Sequence, residues 1–395
     1  MMLRRRRLLE AGCAHCAGLW ALGAAAQSPA DAGTPGADAV LPPRFAAPDA
    51  STDEGGLWAM MQREESRLRR SPFLLKDAAL QSYLLGLVCK LAGEHCPDVR
   101  VYAVRNPFFN ASMAPNGMMQ VWSGLLLRVD NEAQLATILA HEIGHYLKRH
   151  TLDQLRDAKS RSSFMVFMAM FGVVGLIGQM AALAGAFGFS RDQEREADRI
   201  GMALMRQAGY DPREASKVWA NLLAELSAGA DGDPTRNSPL FATHPPSDER
   251  RDTLSRLAEG ASGGHIGQTA FDQQLAGLQA MLLEDELRRG RHPETLALLD
   301  RLVRRSPQRA DLLYFRGETR RLRAAAGDDE AALTDLQAAL ALGGEPAETH
   351  RALGYLHQKR QDGAASRAAF ARYLEMAPQA ADAAMVRSYL NESPT

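Results

Sequence analysis

The stretch Ile138-Leu-Ala-His141-Glu142-Ile-Gly144-His145-Tyr-Leu-Lys-Arg-His150 decides how the chain is read. It contains His-Glu-x-x-His. Two histidines four positions apart project from one face of a helix and can hold one ion. Glu142 lies one helical step from His141, about 100° round the axis, so it sits beside that ion without binding it. Zinc suits two neutral imidazoles and a carboxylate, and a catalytic zinc keeps its last position for water. The pattern therefore predicts one Zn²⁺ per chain, with Glu142 taking the proton of a water that attacks a peptide carbonyl. The surroundings read as helix. Asp130-Asn131-Glu132 offers a cap and an acidic first turn, and Leu135, Ile138, Leu139, Ile143, Tyr146 and Leu147 recur with the helical period. Gly144 costs about 1 kcal/mol inside a helix, which predicts that another backbone, or the substrate, comes close there.

The third ligand must come from elsewhere. Ser190-Arg-Asp-Gln-Glu194-Arg-Glu196-Ala-Asp198-Arg-Ile-Gly201 reads as a helix carrying Glu194 and Asp198 on one face. Glu194 completes a His/His/Glu site. Asp198 can orient a ligand imidazole from behind, and Glu196 is the alternative ligand. Between the two motifs runs the almost wholly apolar stretch Phe164 to Phe189. A bilayer needs about 20 residues per crossing. One crossing would put His145 and Glu194 on opposite sides of the membrane, and the stretch is too short for two. It reads as a folded-back helical pair, buried or touching a membrane surface.

Composition sets the frame. The 395 residues are 46% hydrophobic and 24% charged, as in an ordinary globular protein, and the net charge of −1 gives no nucleic-acid signature. Arg4 to Arg7 followed by an apolar run ending in Ala24-Ala-Ala26-Gln27 reads as a secretory signal over residues 1–26, which implies a periplasmic protein. Residues 27–52, rich in Ala, Pro, Gly and Asp, read as a disordered linker. Removing the signal discards Cys13 and Cys16. Cys89 and Cys96 remain, and an oxidising compartment would join them in a short loop.

Val99–Val104 alternates like a strand. Ala111-Ser-Met113, Pro115-Asn116-Gly117 and Met118–Trp122 read as strand, turn and strand. An edge strand beside the metal helix could hold an extended peptide by main-chain pairing. Further on, Phe241-Ala-Thr-His244-Pro-Pro-Ser-Asp-Glu-Arg250 places His244 before a helix. It would be a reversible fourth zinc ligand, a group that meets the substrate, or a loop histidine that caps the backbone. Arg250 could stabilise an oxyanion or simply be surface charge, and His150 reads as structural or exposed. From residue 266 to 384 the pattern becomes paired helices. Leu353-Gly354, Ser366, Phe370, Tyr373 and Pro378 fall at the offsets of a tetratricopeptide unit, with looser copies earlier.

The paired motifs His141-Glu142-x-x-His145 and Glu194-x-x-x-Asp198-Arg199 resemble the zinc peptidase family that includes HtpX and the CAAX prenyl proteases. The signal, Asn110–Gly117, Thr243-His244-Pro245 and the tail look most like its periplasmic BepA/YfgC-type branch. The resemblance implies a mainly α fold with a small β-sheet: a gluzincin-type domain over 53–260 and tetratricopeptide-like repeats over 266–384. It implies zinc on His141, His145 and Glu194, Glu142 as general base and Asp198 in support. It also implies quality control of outer-membrane proteins, with unfolded or outer-membrane proteins as substrates and an envelope complex held by the tail. The competing reading is a chaperone or assembly factor whose zinc site stays closed by His244.

Overall fold

Helix α4 (Glu132–Leu147) carries the His-Glu-x-x-His motif through the middle of the fold, and every one of its residues is buried. Its start follows the sequence: the Asn131 side chain caps it by accepting from the Gln134 N–H. The computed structural model describes residues 42–157, 188–229, 244 and 248–391. The expected signal over 1–26, the expected linker up to residue 41 and the apolar stretch up to residue 187 lie outside the described residues.

The elements before α4 build its platform. Helices α1 (Asp53–Arg70) and α2 (Ala78–Ala92) precede three strands, β1 (Arg100–Val104), β2 (Ala111–Met113) and β3 (Met118–Trp122). The sheet order is β1-β3-β2, with β1 parallel and β2 antiparallel to β3. The hairpin of β2 and β3 is the one the turn residues predict. A disulfide joins Cys89 at the end of α2 to Cys96. Short α3 (Ser123–Arg128) leads from β3 into α4, and α5 (His150–Asp157) follows it.

The chain resumes with α6 (Arg191–Gln207), a single helix that carries both Glu194 and Asp198. Then come α7 (Glu214–Ala228) and α8 (Asp248–Leu257). Buried apolar residues of α2, the sheet, α4, α6 and α7 form one core. Among the described residues no helix is long and apolar enough to cross a membrane.

The remaining helices are α9 (Gln268–Leu275), α10 (Gln279–Arg288), α11 (His292–Arg305), α12 (Ala310–Arg323), α13 (Asp328–Leu342), α14 (Glu348–Lys359), α15 (Gly363–Met376) and α16 (Ala383–Asn391). α12 packs on α13 and α14 on α15. Gly317 faces Leu336 and Gly354 faces Phe370, each too close for a side chain on the glycine. Helices α9 to α14 share the core of the preceding domain, whereas Phe370, Tyr373 and Val386 of α15 and α16 form a separate cluster. Arg128, fully buried on α3, pairs with Glu225 of α7 and Glu286 of α10, each at 2.8 Å. Arg301 and Arg305 of α11 both reach Asp130 at the entry to α4.

The linker expectation needs correcting from residue 42 onward. Phe45 packs edge-on against Tyr146 with ring centres 5.2 Å apart. The carbonyl of Pro42 lies 2.8 Å from Nε2 of buried His95. Arg44 pairs with Asp98. One aromatic and one ion pair suffice to seat a stretch whose composition is otherwise that of a linker.

Glu65 of α1 holds the sheet in place. Its buried carboxylate accepts from Arg100 of β1 and from the Tyr102 hydroxyl, each at 2.7 Å, and from the Asn116 side chain in the hairpin turn at 3.2 Å. Burial pushes the carboxyl up, but Arg100, Tyr102 and Arg69 outweigh it and hold it down to about 2. A carboxyl whose folded value is depressed from 4.5 contributes stability above about 4.5 and loses it as pH falls towards 2. Glu65→Gln should therefore destabilise the protein by about 2 kcal/mol at pH 7, allowing for the solvent that reaches Arg100. The difference should shrink below about pH 4. Denaturant unfolding across this range checks it, and a difference that stayed constant to pH 2.5 would contradict it.

Candidate metal centre

Helices α4 and α6 meet backbone to backbone. A Cβ on Gly144 would lie 3.0 Å from the Ala197 carbonyl oxygen and 3.1 Å from its Cα. One on Gly201 would lie 3.1 Å from the His141 nitrogen. This is the close backbone approach that Gly144 predicts from sequence. It sets His141 and His145 directly opposite Glu194 and Asp198. The Ser190 side chain and Gln193 form a capping box that starts α6 just before Glu194.

The ligand atoms of His141, His145, Glu194 and His244 all lie within 4.8 Å of one another, and all four residues are buried. His141 Nε2 is 3.1 Å from His145 Nε2, 3.3 Å from His244 Nδ1 and 3.5 Å from Glu194 Oε2. His145 Nε2 is 3.4 Å from Glu194 Oε1. Donors about 2.0–2.1 Å from a tetrahedral zinc sit about 3.4 Å from each other, so these separations are those of a zinc site. Of these five separations, that of His244 Nδ1 and Glu194 Oε1, at 2.6 Å, is the shortest. Three imidazoles and a carboxylate are a zinc donor set, and the residues present fit that ion.

The electrostatics prepare the donors. Burial, with Arg250 beside it, pushes His141 down to about 4. Burial also takes His145 well below its ordinary value. Both rings are thus neutral near pH 7, as a ligand must be. Burial favours the neutral form of Glu194, but His244 and Arg250 outweigh it and keep the carboxyl well below its usual range. For His244 burial pulls down, and Glu194 and Glu142 more than offset it.

Asp198 lies where the sequence places it, with Oδ1 2.9 Å from His141 Nδ1. The unexpected partner is Arg250 on α8. It is buried, donates to Asp198 at 2.7 Å, lies 2.8 Å from Glu194 and stacks over Trp219 at 4.1 Å. The surface-charge reading of Arg250 is therefore corrected. Its position before a polar helix face gave no hint that α8 docks inward on α7. Glu196, the alternative ligand, turns away from the cluster to Lys148 and His150. His150 is buried against His145 rather than exposed. Phe189 stacks on His145 with ring centres 3.8 Å apart and covers that side of the cluster.

Glu142 borders the quartet. Its Oε1 is 3.7 Å from His244 Nε2 and, among the described residues, is buried without a hydrogen bond. Burial raises its carboxyl to about 7, against the pull of His244 and of the Met113 N–H that it accepts. That N–H belongs to edge strand β2. Asn110 and Ala114 bond to β3 through their backbones. The alternation of an antiparallel ladder therefore turns the backbone groups of Ala111 and Met113 outward, toward Glu142 and α4.

The glycine contacts give a test with a reversed sign. Gly→Ala in an open helix stabilises by about 1 kcal/mol. Gly201→Ala and Gly144→Ala should instead lower the melting temperature and loosen zinc, because the new methyl wedges α4 from α6. Thermal unfolding and chelator titration measure both. A variant more stable than wild type would show that the helices do not need this contact.

Part of the chain is similar to known proteins. The profile of peptidase family M48 matches residues 74–258. Mitochondrial metalloendopeptidase OMA1 of Arabidopsis thaliana is 34% identical over 156 residues, 40% of this chain and 31% of that protein. OMA1 of Schizosaccharomyces pombe is 34% identical over 154 residues, 38% of this chain and 44% of its own length. The beta-barrel assembly-enhancing protease of Escherichia coli K12 is 27% identical over 281 residues, 64% of this chain and 54% of that protein. The chain thus spans between about a third and about half of these relatives. All of the quartet lies inside residues 74–258, the span that is similar to peptidase family M48.

Proposed function

We propose that the chain is a zinc-dependent endopeptidase of the gluzincin type. It would work in the periplasm on unfolded or stalled outer-membrane proteins. The observation that carries the reading is the buried quartet with tetrahedral spacing, bordered by a carboxylate with a free oxygen.

In this reading His141, His145 and Glu194 hold the ion. Bound there, zinc supplies Lewis acidity and lowers the pKa of water from its bulk value to about 7. Glu142 accepts the proton of the attacking water and returns it to the leaving amine. Burial, which raises its carboxyl, favours its taking up that proton. Asp198 positions His141, and Arg250 balances the charge of Asp198 and Glu194. The outward backbone of Ala111 and the Met113 carbonyl pair with an extended peptide, which selects for unfolded chain more than for sequence.

His244 acts as a latch. It sits in the place a fourth ligand takes, so it must withdraw for substrate and water to reach the ion. That same contact supports the second reading, an assembly factor whose site stays closed.

The substrate class rests on the family resemblance and on a relative named for beta-barrel assembly. The helical hairpins of the tail, with small residues at Gly317 and Gly354 against bulky partners, support tetratricopeptide-like repeats that grip an envelope partner. Contact of the stretch 164–189 with a membrane surface belongs to the same proposal.

Digestion of unfolded casein tests the activity. Wild type should cleave and lose activity to a chelator. Glu142→Gln should keep zinc and be about 10²–10⁴-fold slower. His244→Ala should keep zinc and cleave faster. Equal residual activity in every sample, chelated or not, would end the peptidase reading. Unchanged cleavage by His244→Ala would remove the latch alone.

A further inference from the structure

His145 turns one ring nitrogen towards the quartet and the other away. Its Nδ1 lies 2.9 Å from Nδ1 of His150. Nε2 of His150 lies 3.2 Å from Glu196 Oε2, and the other Glu196 oxygen is 2.6 Å from Lys148 Nζ. The two imidazoles are buried, whereas Glu196 and Lys148 reach solvent. Two ring nitrogens at that distance share one proton. With His145 ligating through Nε2, its Nδ1–H donates to His150 Nδ1. His150 then carries its own proton on Nε2 and donates to Glu196. One pair of tautomers satisfies every polar atom in the row.

The backbone is bent to make this contact. On an uninterrupted helix position 150 would lie about 140° round from position 145. Helix α4 instead ends at Leu147, and Arg149 adopts a left-handed φ of 59° that folds His150 back onto His145. A non-glycine residue holds such a conformation only when its surroundings impose it. Arg149 is held by an ion pair with Glu54 and by stacking over Phe45 at 5.2 Å.

We propose that His150 is a positioning residue of the metal centre. It fixes the tautomer and the rotation of His145, and Glu196 fixes His150. His141 has a carboxylate directly behind it, Asp198. His145 receives the same service through an intervening ring. The proposal rests on His141, His145 and Glu194 being the zinc ligands.

The alternative is that His150 only fills space, in which case any ring of similar size would serve. Purified full-length protein separates the two. Zinc affinity is read by competition with a chromophoric chelator, and ligand geometry by the visible spectrum of the cobalt-substituted protein. His150→Phe, which keeps the bulk and loses the acceptor, should weaken zinc by about 10–100-fold and change the cobalt spectrum. His150→Asn, which restores an acceptor, should recover affinity to within a few-fold of wild type. Glu196→Leu should weaken zinc in the same direction, and it carries the test if His150→Phe does not fold. Wild-type affinity and spectrum in folded His150→Phe or in Glu196→Leu would overturn the role of His150 while leaving the centre intact. A wild-type chain that binds no zinc would overturn both.

Discussion

Two helices that touch through their backbones hold this molecule's chemistry together. α4 and α6 can approach so closely only because Gly144 faces Ala197 and Gly201 faces His141. At an ordinary interhelical spacing of 8–10 Å, side chains would separate the two motifs. Here the gap is closed, so short carboxylates on α6 reach imidazoles on α4. Gly144 is helix-destabilising in isolation, and that local cost is the condition for the site.

The second constraint is charge. Glu142, Glu194 and Asp198 are buried in one place, where among the described residues Arg250 and the imidazoles balance them. Buried carboxylates at this density demand compensation. Arg250 provides part of it from α8, bound to Asp198 and Glu194 and supported on the Trp219 ring. His244 provides another part, which explains why its own value is raised inside a buried cluster. A divalent cation bound there would take over part of that balance.

Much of this was legible in the residues. The spacing of His141, Glu142 and His145 gave their shared helix, Glu194 and Asp198 gave the facing helix, and Gly144 gave the close approach. The turn at Pro115-Asn116-Gly117 gave the hairpin. The parts that were not legible depend on backbone or docking that no local pattern encodes. His150 touches His145 because Arg149 is left-handed, and nothing in Lys148-Arg149-His150 announces that. Arg250 is buried because α8 leans on α6 and α7, whereas its own segment is strongly polar. β1 joins β3 in parallel, with the hairpin partner on the far side. Residues 42–52 pack through Phe45, Arg44 and the Pro42 carbonyl, against a composition that argues for linker.

The central claim is one zinc held between α4 and α6. X-ray absorption at the zinc edge, with metal analysis of the purified chain, tests it most directly. The account predicts one zinc per chain in a nitrogen and oxygen shell at about 2.0–2.1 Å, lost in Glu194→Gln. Substoichiometric zinc, or a shell unaltered by Glu194→Gln, would contradict it.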